Sequence, residues 1–178
     1  LTIALREMVN KAPHGARVLD LCAGSGCIGI SVLLSLSDVV LDFIETETRH
    51  HKTIEKNLTE NGVDASRYRI RGGDLFEKAD TTYDYILTNP PYIDPTLMDR
   101  VDPSVQEYEP HEALAGGAKG MELIERIITE GRKFLNKNGQ LYIEHEPEQT
   151  VSITQLAEAQ GYNNISTIRD QYDHERVT

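Results

Sequence analysis

Short apolar runs alternate with longer stretches in which apolar residues recur every three or four positions, and the alternation continues along most of the chain. Arg17-Val-Leu-Asp-Leu21 predicts a buried strand running into Cys22-Ala-Gly-Ser-Gly26. An apolar helix follows, from Cys27 to about Leu36. A second strand covers residues 39–44 and ends at Glu45, and a helix over 48–60 stops at Asn61-Gly62. Residues 68–71 predict a third strand, followed by Gly72-Gly73-Asp74, and residues 83–88 a fourth, followed by Asn89-Pro90-Pro91-Tyr92. These readings rest on run length, period and the flanking Gly, Pro and Asn.

Residues 93–118 are rich in Pro and acids and have no period, which predicts a long functional loop. From Gly120 to about Asn138 the spacing predicts a helix with Leu123, Ile124, Ile127, Ile128, Phe134 and Leu135 near one face. Gly139 reads as its C-cap. A fifth strand is predicted over 140–144, a helix over 149–160 closed by Gly161, and a sixth strand over 164–168. The resulting fold class is α/β, a mostly parallel open sheet with helices on both faces. Ligands of such folds bind beyond the carboxyl ends of the strands, where Asp20, Glu45, Asp74, Asn89 and Glu144 fall.

The 178 residues suit one domain, residues 1–178, large enough to bury a core. With 29 acids against 18 Lys and Arg, the net charge of −11 opposes a protein that grips a phosphate backbone over a wide surface. No apolar run approaches the ~20 residues of a membrane span, so no membrane partner is expected, and the chain reads as a soluble intracellular monomer. The 2 cysteines form no Cys-x-x-Cys, so no metal is expected, and Cys22 and Cys27 read as small packing residues of a reducing compartment. The chain opens at Leu1, inside a predicted helix, which reads as an excised domain.

Gly24-Ser25-Gly26-Cys27-Ile28-Gly29 matches G-x-G-x-x-G between a strand and a helix. Glu45 lies about twenty residues on, where a carboxylate accepts both hydroxyl protons of a ribose. This much fits NAD as well as S-adenosyl-L-methionine. Three features tilt the choice to the latter. Asp20 would repel a pyrophosphate but can hold an ammonium. Asp74 can accept the adenine amino group. Asn89-Pro90-Pro91-Tyr92 has no use in a dehydrogenase.

A planar –NH2 group is a poor nucleophile because its lone pair is delocalised. Two acceptors on its two hydrogens hold the nitrogen toward tetrahedral geometry, with the lone pair free to attack a methyl group. The Asn89 side-chain oxygen and the Pro90 carbonyl suit that task, with consecutive prolines restricting the loop that presents them. Tyr92 offers a ring to stack on the planar group. Catalysis of this kind is mostly positioning.

Asp20-Leu-Cys-Ala-Gly-Ser-Gly26, Glu45, Gly73-Asp74-Leu-Phe76 and Asn89-Pro-Pro-Tyr-Ile93 resemble the Rossmann-like class I S-adenosylmethionine-dependent amino-methyltransferases. Further along come Tyr108-Glu-Pro110, Ala113-Leu114, Gly120, Glu144-His145 with Gln149, Arg169-Asp170 and Asp173-His-Glu-Arg-Val177. With these the chain, from about Val18 to Thr178, resembles the HemK/PrmC family of release-factor N5-glutamine methyltransferases. The resemblance implies methyl transfer to the Gln of a Gly-Gly-Gln motif in a peptide-chain release factor, in a bacterial cytoplasm or a mitochondrial matrix. It implies a cofactor site of Asp20, Ala23, Gly24, Ser25, Gly26, Glu45, Thr46, Asp74, Leu75 and Asn89. It implies catalytic Asn89, Pro90 and Tyr92, and a substrate site of Asn89, Pro90, Pro91, Tyr92 and Glu109. The family's N-terminal helical domain and Pro-Arg-Pro-Glu-Thr-like segment do not precede the sheet in this sequence. Glu146-Pro147 stands where Gly is expected, and the chain ends inside the expected last strand.

Three other functions fit parts of the sequence. A nucleic-acid exocyclic-amine methyltransferase, of the N6-adenine type, shares Asn-Pro-Pro-Tyr, but Arg67-Tyr-Arg-Ile-Arg71 is the only dense basic spot. An NAD-dependent oxidoreductase leaves Asn89-Pro-Pro-Tyr92 unexplained, and a non-catalytic binding module would keep the fold alone. His50-His51, beside Arg49 and Lys52, read as a solvated helix face, and Tyr83 and Tyr85 as packing residues. His145 reads as a residue that orders its loop.

Overall fold

The computed structural model describes residues 12–93 and 120–178. The helix expected at Leu1, most of the loop expected over 93–118, and Glu109 lie outside the described residues. Contacts group the chain into two compact units, one holding Leu1–Asn89 with Lys133–Tyr142, the other Pro90–Arg132 with Ile143–Thr178.

The first unit is built on a sheet. β1 (Ala16–Leu21) runs parallel to β2 (Val39–Glu45) and to β4 (Tyr83–Thr88), and β2 runs parallel to β3 (Tyr68–Gly72). With β5 (Leu135–Ile143) the strand order is β3-β2-β1-β4-β5. β1 and β2 lie inside this order and are buried along nearly their whole length, as continuous apolar runs demand. β3 lies at an edge and has no fully buried residue. Two of the three arginines here are in use. Arg67, just before it, donates to the carbonyls of Leu36 and Val39, and Arg71 donates to Lys78 O at 3.1 Å and pairs with Asp80 at 2.7 Å.

Helices α1 (Cys27–Ser35) and α2 (Thr48–Glu60) follow β1 and β2. α2 buries only Ile54 and Leu58, one turn apart, on an otherwise polar helix. Tyr83 and Tyr85 are packed inside as expected, and the Tyr83 hydroxyl donates to Asp42 Oδ2 at 2.8 Å.

The second unit holds α3 (Glu122–Gly131), α4 (Thr150–Ala159) and a hairpin of β6 (Ile168–Arg169) with β7 (Glu175–Val177). Ile124, Ile127, Ile128 and Gly131 form the buried stripe of α3, and the Tyr162 hydroxyl donates to Ile128 O at 3.0 Å. Ile143 and Thr178 exchange two backbone hydrogen bonds of 2.8 and 3.0 Å, so the end of the chain pairs antiparallel to the end of β5.

Three expected elements change. The helix predicted to about Asn138 stops at Gly131, and β5 starts at Leu135 instead of 140. Glycine weakens the helix there, and Phe134 stacks on Phe76 with ring centroids 4.8 Å apart. Asn136 then bonds Thr82 and Asp84, the latter at 2.8 Å. Tertiary contacts on these residues outweigh a helical period that continues through them. The strand predicted over 164–168 shrinks to Ile168–Arg169. Asn164 takes a positive φ of 58°, and Asp170 Oδ1 accepts from the Tyr172 and His174 N–H groups, which turns the chain into a tight hairpin.

Candidate active site

The order of the sheet reverses at β1, with β2 on one side and β4 on the other, so the loops leaving β1 and β4 part at its carboxyl edge. Register places Leu21 beside Thr88, and the glycine loop and Asn89 follow these two residues. Asn89 is exposed.

The loop is held by its own backbone. Gly26 (φ 79°) ends it as the N-cap of α1 and donates to Ala23 O at 2.7 Å. Ala23 is buried and donates to Ile44 O at 3.2 Å, tying the loop to β2. Exposed Ser25 accepts through its carbonyl from Asn57 Nδ2 at 3.0 Å. The third glycine has a steric reason. A Cβ on Gly29 would lie 2.4 Å from Phe43 and 2.9 Å from Asp20 Oδ2.

Two carboxylates organise this loop. Glu45 accepts from the Gly24 N–H at 2.7 Å through Oε2 and from the Glu47 N–H at 2.8 Å through Oε1. Asp20 is fully buried and accepts from the Gly29 N–H at 2.8 Å through Oδ2. Its Oδ1 is buried with no hydrogen-bond partner among the described residues. Burial pushes the Asp20 carboxyl up to about 8; the Gly29 N–H pulls it down and the Glu45 charge adds to the rise. At the next strand end Thr46 donates to Gly73 O at 3.0 Å, and exposed Asp74 caps the turn Leu75–Lys78, in which Leu75 is buried with a φ of 47°.

The histidines of α2 correct the expected solvated face. His50 and His51 are both half-buried. His51 Nε2 bonds Glu45 O at 2.8 Å, and its ring lies 3.0 Å from where a Gly72 Cβ would stand. His50 Nδ1 lies 3.9 Å from Glu45 Oε1. Successive helical residues point about 100° apart, so four polar neighbours cannot share one outer face. The paired glycines at 72 and 73 were the available signal. One cysteine also departs from the packing reading, because Cys27 is exposed. Cys22 is half-buried, and burial, followed by the Glu45 charge, pushes its thiol up to about 12.

In the second unit Pro90 is buried, and Pro91 and Tyr92 are half-buried. Tyr92 is held at both ends. Its carbonyl accepts from Gln149 Nε2 at 2.9 Å, and its hydroxyl bonds the Glu144 carboxylate, a carboxyl that burial pushes up. His145 is fully buried, bonds Thr178 Oγ1 at 2.8 Å and has its pKa lowered by burial, in keeping with a role in ordering its loop. Glu146 pairs with Arg176 at 2.8 Å and, with Pro147, opens the turn into α4.

A sequence model of the family described as "Methyltransferase small domain" matches residues 2–101. The chain belongs to this family. It is similar to the release factor glutamine methyltransferase of Geobacter sulfurreducens, 30% identical over 98% of this chain and 61% of that protein. It is also similar to the ribosomal protein uL3 glutamine methyltransferase of Bordetella pertussis, 36% identical over 72% of this chain and 43% of that protein. The chain thus spans about three fifths of the first relative and less than half of the second. A methyltransferase from Pyrococcus furiosus has the same fold, with a TM-score of 0.71 at 16% identity over 99% of this chain and 79% of that one. The Rossmann-like α/β reading of the sequence therefore holds.

Within this methyltransferase fold, the first unit gathers Asp20, Ala23, Gly24, Ser25, Gly26, Glu45 and Thr46 at the carboxyl ends of β1 and β2, with Asp74 and Leu75 after β3. Sequence reasoning did not find His50 and His51 against Glu45, or Gln149 against Tyr92.

Proposed function

We propose that the chain is a single catalytic domain that transfers a methyl group from S-adenosyl-L-methionine to the side-chain amide nitrogen of a protein glutamine. The acceptor is the Gln of the Gly-Gly-Gln motif in a peptide-chain release factor. The observation that carries this reading is the position of Asn89-Pro90-Pro91-Tyr92 directly after β4, the strand paired with the one that feeds the glycine loop.

The cofactor supplies a methyl group already activated on a sulfonium sulfur. The donor set fits it. Each Glu45 oxygen accepts one backbone N–H and keeps a lone pair for a ribose hydroxyl. Asp20 Oδ1 is buried under the loop with no partner among the described residues, and a Cβ on Gly24 would meet nothing within 4 Å, so the loop surface is open to a ligand there. Asp74 stands after β3 for the adenine region.

Asn89 Oδ1 and the Pro90 carbonyl accept the two amide hydrogens of the substrate, and the Tyr92 ring packs on its plane. The amide nitrogen loses a proton readily once methylated, so no strong general base is required. Alignment over 98% of the chain supports a release factor over uL3, whose methyltransferases align over 72% to 78% with higher identity. The engagement of Arg67 and Arg71 inside the fold supports a protein acceptor over nucleic acid. The relatives named are bacterial, which supports the bacterial cytoplasm.

Incubation with tritiated S-adenosylmethionine tests the reading, with a release factor, its Gln→Ala variant, uL3 and DNA as acceptors. Label in the wild-type factor alone is expected. Label in uL3 or DNA, with none in the factor, would replace the acceptor. Asn89→Ala is expected to cut transfer by about two to three orders of magnitude with cofactor affinity unchanged in titration calorimetry. Full activity in that variant would end the amide-clamp mechanism.

A further inference from the structure

Resting on the methyl-transfer reading above, we propose that Gln149 is a positioning residue, which fixes the Pro90–Tyr92 segment by holding the Tyr92 carbonyl. Its side-chain amide is satisfied on both sides. Nε2 donates to Tyr92 O at 2.9 Å, and Oε1 accepts from the Glu146 N–H at 2.9 Å. The residue is buried, at 7% exposure, where an unmet amide would be costly. Gln149 is thus a strut between the turn that opens α4 and a backbone carbonyl 57 residues earlier.

Gly120 shows how closely this contact is packed. It takes a φ of 69°, and a Cβ there would lie 1.8 Å from Tyr92 O and 2.6 Å from Gln149 Nε2. Only glycine leaves room for the hydrogen bond. On the other side of Tyr92, its hydroxyl is bonded to Glu144.

The mechanical logic follows from residue types. The rings of Pro90 and Pro91 lock their own φ, and each proline restricts the residue before it. The torsions around Tyr92 are then the soft part of the segment. Pinning the Tyr92 carbonyl and hydroxyl removes that freedom and fixes the direction of the Pro90 carbonyl two residues upstream. A misplacement of about 1 Å in such a group costs about a hundredfold in rate.

The test compares wild type, Gln149→Ala and Gln149→Glu. Hydrogen exchange of the peptide covering residues 88–93 is measured first, because it needs no acceptor. Faster exchange is expected in Gln149→Ala, and unchanged exchange overturns the inference whatever the true substrate is. In methyl transfer to the release factor, Gln149→Ala is expected to lose about ten- to a hundredfold in kcat, with cofactor affinity and KM for the cofactor within about twofold. Wild-type kcat, or a loss matched by cofactor affinity, overturns the inference.

Gln149→Glu guards against misfolding of the alanine variant. Its carboxylate keeps the acceptor for the Glu146 N–H but faces the Tyr92 carbonyl without a proton. The variant is therefore expected to lose kcat and to speed exchange over residues 88–93 as Gln149→Ala does, and wild-type kcat with wild-type exchange in it overturns the inference. If wild type itself labels no release factor, the substrate reading fails while the exchange result still decides the role of Gln149.

Discussion

Asp20→Asn offers the sharpest physical test of the glycine loop. Asp20 is fully buried beneath it, and burial moves its carboxyl from the ordinary 3.8 to about 8. A pKa raised by folding contributes stability below the unfolded value and withdraws it as pH rises through the folded value. From about pH 5 to about pH 8 the unfolded chain carries the ionised form, whereas the folded chain keeps its proton. Each unit costs about 1.4 kcal/mol, so the wild type loses about 4 kcal/mol over that span through this group. Asparagine has no such linkage, and its side-chain oxygen can still accept from the Gly29 N–H. For a domain of this size 1 kcal/mol moves Tm by about 2–4 °C. Thermal unfolding by circular dichroism at a series of pH values should show the variant gaining about 10 °C on the wild type between pH 5 and pH 8. Other titrating groups are common to both proteins and cancel in the difference. Parallel Tm curves would refute the reasoning, because they would mean that Asp20 stays ionised inside the fold.

Glu45→Gln should weaken S-adenosylmethionine binding about tenfold or more in calorimetry, since one oxygen that accepts from a ribose hydroxyl becomes a donor; unchanged affinity would remove Glu45 from the cofactor site. Tyr83→Phe removes the hydroxyl bonded to the buried Asp42 carboxylate, leaves it only Arg71 at 4.0 Å among the described residues, and should cost about 1–3 kcal/mol in urea unfolding. Gly29→Ala forces a methyl group to within 2.4 Å of Phe43 and should cost about 1–3 kcal/mol in the same assay; a neutral substitution there would mean that α1 shifts freely on the sheet.

The local features of the sequence were the legible ones. Continuous apolar runs marked β1, β2 and β4, because a strand buried on both faces has no polar alternation to hide it. Gly24-Ser25-Gly26 marked the turn, since two positive φ values within three residues favour glycine. Strand ends then placed Asp20, Glu45, Asp74 and Asn89 at one edge without any knowledge of side-chain contacts.

What the tertiary structure alone decided concerns residues far apart in the chain. The period of α3 runs on past Gly131, yet the stack of Phe134 on Phe76 ends the helix. His50 and His51 look like part of a charged face until the fold brings them against Glu45. Gln149 stands out in the sequence only as part of the family resemblance, and only the fold delivers its amide to the Tyr92 carbonyl. The pattern of a sequence encodes which face of an element is apolar. It does not encode which buried carbonyl or carboxylate will lack a partner, because that depends on where two distant backbones meet. The sequence by itself determined which residue types stand at the strand ends of the candidate site, and the tertiary structure decided which distant residues hold them in place.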